Sequence, residues 1–212
     1  GLGPNTVPKY YVNIDSIMNF IGFEKVFLVN RSVKISKGMF LDFNAIAKGY
    51  CVDLLSKALK ENDIKNHLIE IGGEMYASGI NNITNTNWKV GISDPLQPEI
   101  NKQKIFLNNN ALASSGNYRK FLIEPDTGFK IVHTINPNNG RADQTNILAT
   151  SVIAKNCMTA DAYATAFMAM PLEKSINLIN TDESLDGMII YLDVNNEIQT
   201  FYSLGFKNSI FN

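Results

Sequence analysis

Cysteine is nearly absent from these 212 residues: only Cys51 and Cys157 occur, with no second cysteine or histidine at metal-ligand spacing. That excludes a disulfide-dense scaffold and a thiolate zinc site, and both residues, lying among apolar neighbours of expected helices, read as buried free thiols. An excess of either charge is missing too. With 19 basic and 20 acidic residues the net charge is −1, and no run of Lys or Arg could follow a phosphate backbone, so nucleic acid is excluded as a partner. Long apolar runs are lacking, since the longest falls far short of the ~18 residues that a membrane span requires. No signal peptide or lipobox is visible. The chain opens on Gly1-Leu2-Gly3-Pro4 without an initiator Met, as a trimmed or processed chain would.

What is present suits a folded protein. A hydrophobic content of 45% supplies a core for one large domain or two intimately packed subdomains. A short helix is expected over Ile14 to Ile21, capped by Asn13 and closed by Gly22. Lys25 to Val29, Ser32 to Ser36 and Met39 to Phe43 read as a meander of short strands, followed by a helix from Ala45 to about Lys60 with Asn44 placed to cap it. The middle reads as strand: His67 to Ile71, Met75 to Ser78, Trp88 to Ile92, Lys104 to Leu107, Ala111 to Ser114, and a hairpin from Tyr118 to Thr134 turning at Pro125-Asp126-Thr127-Gly128. Leu148 to Ala154 is a further strand leading into a helix from Asn156. A helix over Leu172 to Ile179 and a hairpin pairing Gly187 to Leu192 with Glu197 to Tyr202 complete the chain.

Within Asn156-Cys157-Met158-Thr159-Ala160-Asp161-Ala162-Tyr163-Ala164-Thr165 one acid interrupts an apolar run. On a helix, positions i and i+4 share a face, so the Asp161 carboxylate and the Thr165 hydroxyl project side by side as two hard oxygens suited to Mg²⁺. The alternative is that Thr159 caps the helix and Asp161 answers its dipole. Lys48 stands in the first turn of another helix, where a cation is unhelpful to the dipole. It holds a phosphate, pairs with Asp42, or is an ordinary surface lysine. Gly72-Gly73 marks either a close backbone approach to a ligand or a strand bulge. Ser114-Ser115-Gly116-Asn117-Tyr118 forms the wall of a ring-binding site or a turn. His133, at a strand end before the loop Asn136-Pro137-Asn138-Asn139-Gly140, is placed to act as a general base. His67, at a strand start without polar company, reads as structural or surface.

In order, these segments resemble the ApbE family of FAD:protein FMN transferases. The resemblance rests on Leu41-Asp42, Ala47-Lys48-Gly49-Tyr50 with Asp53, Ile71-Gly72-Gly73-Glu74, Gly91-Ile92-Ser93-Asp94-Pro95, Ser115-Gly116-Asn117-Tyr118, His133 with Asn136-Pro137 and Gly140, and Ala160-Asp161 with Thr165. It extends over essentially the whole chain, with the front of a full-length member absent. Asn139 and Ser114 stand where threonine is usual. The implied fold is α+β, with mostly antiparallel sheets and packed helices, as two intimately packed subdomains of one ApbE-like domain over residues 1–212. The implied reaction moves FMN from FAD onto a Thr or Ser hydroxyl of an acceptor protein as a phosphoester, releasing AMP with Mg²⁺. A FAD pyrophosphatase and a non-catalytic flavin-binding protein are the alternatives. By the resemblance, Asp161 and Thr165 with main-chain oxygens at Ala45 and Ala164 hold the metal. Asp42, Lys48, Ser115, Tyr118, Thr134 and Ile135 line the FAD site, and His133 takes the acceptor's proton. Family members are exported and lipid-anchored, which implies the periplasm or the outer face of the cell membrane, through an anchor not present in this chain.

Overall fold

The computed structural model describes residues 13–94, 97, 101–116, 121–123, 130–132, 135–140 and 146–211. Its central feature is a six-stranded sheet built from β3 (His67–Ile71), β4 (Glu74–Ser78), β7 (Asn110–Gly116), β10 (Ile147–Ala154), β11 (Leu185–Leu192) and β12 (Ile198–Tyr202). The strand order is β12-β11-β10-β7-β4-β3, every neighbouring pair antiparallel. The two-residue period of the strands divides the core in two. Ala111, Ala113, Val152, Ala154 and Ile189 face the helices α2 (Ala47–Glu61) and α3 (Cys157–Ala169), whose Val52, Ala160, Ala164 and Phe167 are fully buried. Leu112, Ile153, Met188 and Ile190 face the other way. They pack against the hairpin of β5 (Trp88–Ser93) and β6 (Asn101–Leu107), with Phe206 of α5 (Leu204–Ser209) beside it. Covered on both faces, β10 reads as an almost unbroken apolar run, and the α+β architecture expected from the sequence is the one observed.

The remaining elements are α1 (Ile14–Met18), the hairpin of β1 (Phe27–Val29) with β2 (Ser32–Lys34), the hairpin of β8 (Phe121–Ile123) with β9 (Lys130–Val132), and α4 (Leu172–Thr181). Asn30 and Arg31, at φ of 47° and 65°, make the two-residue turn between β1 and β2. Several boundaries move from those expected. α1 keeps its Asn13 cap but stops at Met18, because the Lys25 ammonium takes the carbonyls of Met18, Asn19 and Ile21. Met39 to Phe43 pairs with no strand among the described residues. Asn44 does not cap α2: its N–H and side-chain amide are both tied to Asp42, and Ile46 occupies the cap position without a side-chain hydrogen bond. α5 was not expected, being six residues long with an aperiodic Leu-Gly-Phe start, and Ser203 caps it through the Phe206 N–H. The turn 125–128 lies outside the described residues, although the β8–β9 pairing it would join is present.

Candidate active site

Two helices begin beside one another on one face of the sheet, and each supplies an aspartate to the other. Asp161, the fifth residue of α3, accepts the Gly49 N–H in the first turn of α2 at 2.9 Å. Asp53 of α2 accepts the Cys157 and Met158 N–H groups at the start of α3, at 2.7 and 2.9 Å. Asn156, not Thr159, is the residue that caps α3, its side chain accepting the Thr159 N–H at 2.8 Å. Asp161 therefore answers the positive end of α2 rather than that of its own helix. The backbone anion position expected at the start of α2 is filled, at Gly49, by this carboxylate. Gly49 permits the approach: a Cβ there would lie 2.4 Å from the Cys157 carbonyl oxygen and 2.8 Å from the Asp161 Cβ.

Lys48 precedes Gly49 and points to Glu74, not to Asp42. Gly72 and Gly73, at φ of 62° and 104°, form the two-residue turn between β3 and β4, with Ile71 opposite Glu74. These glycines are neither a bulge nor a bare ligand approach. They set Glu74 at the first position of β4, where its carboxylate is 2% exposed and meets the Lys48 ammonium at 2.5 Å. Lys48 keeps 46% of its side-chain surface, so the cation reaches solvent while its partner does not. Burial pushes the Glu74 carboxyl up from the ordinary range, Lys48 opposes the shift, and Asp161 adds to it. Asp161 is raised as well, by burial first, against the Gly49 N–H and the Lys48 charge. The Lys48 ammonium thus serves two buried acids.

One turn further along α3 the sheet fixes Thr165. Ser115 of β7 pairs directly with Thr150 of β10. The Ser115 hydroxyl lies 3.3 Å from the Thr165 hydroxyl, and the Thr150 hydroxyl donates to the Ala164 carbonyl at 2.7 Å. Asp161 and Thr165 share the face expected of them, with Asp161 buried and Thr165 half-buried. Among the described residues no three His, Cys, Asp or Glu side chains gather as a metal site, so the protein's share of a hard cation would come from Asp161, hydroxyls and main-chain oxygens. The residues fit that use. The Gly49 N–H takes Asp161 Oδ2 and leaves Oδ1 for another partner, and the acid's burial favours a cation beside it. Ala45 is half-buried just before α2. The Ala164 carbonyl is shared with Thr150.

Other expected residues stand apart. Asp42 is exposed and bound within its own loop to Asn44 at 2.7 and 3.1 Å. Ile135 is half-buried at the entrance to the 136–140 turn, where Gly140 packs on Ile14 and Met18. Tyr118, His133 and Thr134 lie outside the described residues. His67 is not without polar company: it is buried, with Nε2 2.9 Å from the Ser56 hydroxyl and Nδ1 2.9 Å from the Ile64 carbonyl oxygen, which makes it a structural residue. Of the two thiols Cys157 is buried and Cys51 is exposed, so only one matches the expectation. Sequence reasoning passed over Glu74 and Asp53 as partners. For Glu74 the signal existed: two glycines between two β runs are a hairpin turn, which puts the next residue opposite Ile71.

The sheet, the helix pair and this site define an α+β protein that sets a lysine and two hard oxygens beside paired helix starts. The ApbE family model matches residues 3–189. A relative in Vibrio cholerae called FAD:protein FMN transferase is 31% identical over 199 residues, covering 91% of this chain and 58% of its own. A Haemophilus influenzae protein of the same name is 30% identical over 217 residues, covering 98% of this chain and 61% of its own. The solved structure of the flavin transferase ApbE from Vibrio cholerae superposes with a TM-score of 0.84 at 26% identity, over 99% of this chain and 66% of that one. The chain belongs to the ApbE family. It spans about three fifths of the length of the curated relatives it matches.

Proposed function

We propose that the chain carries the site of a transferase that moves FMN from FAD onto a Thr or Ser hydroxyl of an acceptor protein, forming a phosphoester and releasing AMP. The observation that carries the reading is the Asp161–Thr165 face of α3 beside a lysine ammonium that reaches solvent. Relatives named FAD:protein FMN transferase support it. Phosphoryl transfer asks little covalent chemistry of a protein. It needs positive charge on the non-bridging oxygens and an oriented nucleophile. Lys48, whose ammonium meets buried Glu74 on one side and stays half-exposed on the other, binds the FAD pyrophosphate. Asp161 and Thr165, with main-chain oxygens at Ala45 and Ala164, hold Mg²⁺, which when bound withdraws charge from the phosphate oxygens. Ser115 keeps the Thr165 hydroxyl oriented. His133 accepts the proton of the acceptor hydroxyl, while Asp42, Tyr118, Thr134 and Ile135 line the flavin nucleotide. In the same reading the protein works outside the cytoplasm on a lipid anchor.

The test is direct. The protein is incubated with FAD, Mg²⁺ and an acceptor protein, and the acceptor is weighed by mass spectrometry while AMP is measured. Covalent FMN on a Thr or Ser with matching AMP is the expected result. AMP and free FMN without an adduct would replace the reading with a FAD pyrophosphatase, and bound FAD without AMP would replace it with a flavin-binding protein.

A further inference from the structure

Lys48 poses a physical problem that Glu74 resolves. A cation in the first turn of a helix meets the positive end of the dipole, so left alone it would swing into solvent. Glu74 is the one acid on β4, and the Gly72-Gly73 turn leaves it no freedom to follow Lys48: its carboxylate is 2% exposed and the ammonium must come to it, at 2.5 Å. A Cβ added at Gly72 would sit 3.5 Å from Lys48 Cδ, so the turn also walls the aliphatic stem of the lysine. Burying an acid whose only strong partner among the described residues is a half-exposed lysine does little for stability, because desolvation offsets the attraction. Its effect is on geometry.

We propose that Glu74 is a positioning residue, which fixes the Lys48 ammonium beside the Asp161–Thr165 face so that it meets an anionic ligand without first being ordered. The ligand class is a diphosphate diester, and this part rests on the flavin transferase reading. A preorganised lysine spares the ligand the entropy of immobilising a long side chain. Glu74 itself touches no substrate. Its removal therefore acts only through Lys48, and the two residues are not additive.

Two measurements separate the pair from the ligand. In the first, lysine amines of the folded protein are labelled with a limiting amount of an acylating reagent and mapped by mass spectrometry, with no ligand present. Glu74→Gln should raise the labelling of Lys48 severalfold relative to Lys57, which is exposed beside Glu61, and Glu74→Asp should restore only part of the protection. In the second, the dissociation constant for FAD with Mg²⁺ is measured for wild type, Glu74→Gln, Lys48→Met and the double variant. Each single variant should lose about tenfold, and the double variant should lose no more than Lys48→Met alone. Should Glu74→Gln fail to fold, the double variant, which removes the buried Glu74 charge together with its partner, is compared with Lys48→Met instead. Unchanged Lys48 labelling in Glu74→Gln, or losses that add in the double variant, would overturn the positioning role. A wild type that does not bind FAD, with Lys48 protected as expected, would overturn the ligand class and the flavin reading while upholding the pair.

Discussion

At the scale of single residues, the site depends on what is missing from Gly49 and on what is hidden at Cys157. Alanine is the better helix former by about 1 kcal/mol, which argues for Gly49→Ala as a stabilising change. The contact argues the other way and wins. The new Cβ would lie 2.4 Å from a backbone oxygen, which cannot rotate aside, and overpacking of this kind costs about 1–3 kcal/mol. Chemical denaturation should place Gly49→Ala below wild type, and a higher midpoint would contradict the close approach of α2 and α3.

The thiols divide as their exposure does. Iodoacetamide should alkylate exposed Cys51 in the folded protein and reach Cys157 only on unfolding. Burial, followed by the nearby Asp53, Asp161 and Glu74 carboxylates, holds the Cys157 thiol well above its ordinary value of 9.0. Its folded pKa is raised, so the fold binds the proton more tightly than the unfolded chain does. The resulting stability is complete below pH 9.0 and is lost as the pH rises beyond it. Cys157→Ala should therefore lose stability less steeply than wild type when denaturation midpoints are followed upward from that pH. Equal slopes would contradict the assignment.

At the scale of elements, α2 and α3 are joined through their first turns. An N-terminal turn leaves its amides without helical partners, and α3 fills this need with Asp53 for Cys157 and Met158, and Asn156 for Thr159. Asp53→Ala removes two of these bonds and should cost about 1–2 kcal/mol, the upper range for a cap. Thermal denaturation checks this, and Asp53→Asn should lie between the two. α2 was legible in sequence from its apolar periodicity and α3 from its apolar run, yet neither set of caps was. The reason is distance along the chain. Asn44 and Thr159 were plausible local caps; Asn156 is the local cap of α3, but the aspartates that serve α2 and α3 come from 112 and 104 positions away. Sequence periodicity carries no record of such pairings.

At the scale of the whole molecule, the central strands were readable because β7, β10 and β11 are rich in small and branched apolar residues with turn residues between them, whereas their order in the sheet was not. The short N-terminal elements were read less well. Met39 to Phe43 has strand composition without a strand to pair with among the described residues, and α5 is too short to show a period. The Asp161–Thr165 face and Lys48 were visible in sequence, since helix spacing fixes the first and dipole logic singles out the second. For Glu74 the two-glycine turn signalled its place opposite Ile71, but its meeting with Lys48 appears only when β4 packs beside α2. Pairing Lys48 with Asp42 followed proximity in sequence, and the fold chose burial instead.

The central claim is that Asp161 belongs to the reacting site and is not merely a cap for α2. Intact mass of an acceptor protein after incubation with FAD and increasing Mg²⁺ measures this most directly, with wild type and Asp161→Asn compared at equal foldedness. The asparagine still accepts the Gly49 N–H, so a cap would lose only about 0.3–1 kcal/mol of stability. As part of the site, Asp161→Asn should leave no FMN adduct at any Mg²⁺ concentration at which wild type is fully active. An adduct formed by Asp161→Asn at the wild-type rate, with the wild-type Mg²⁺ dependence, would contradict the account.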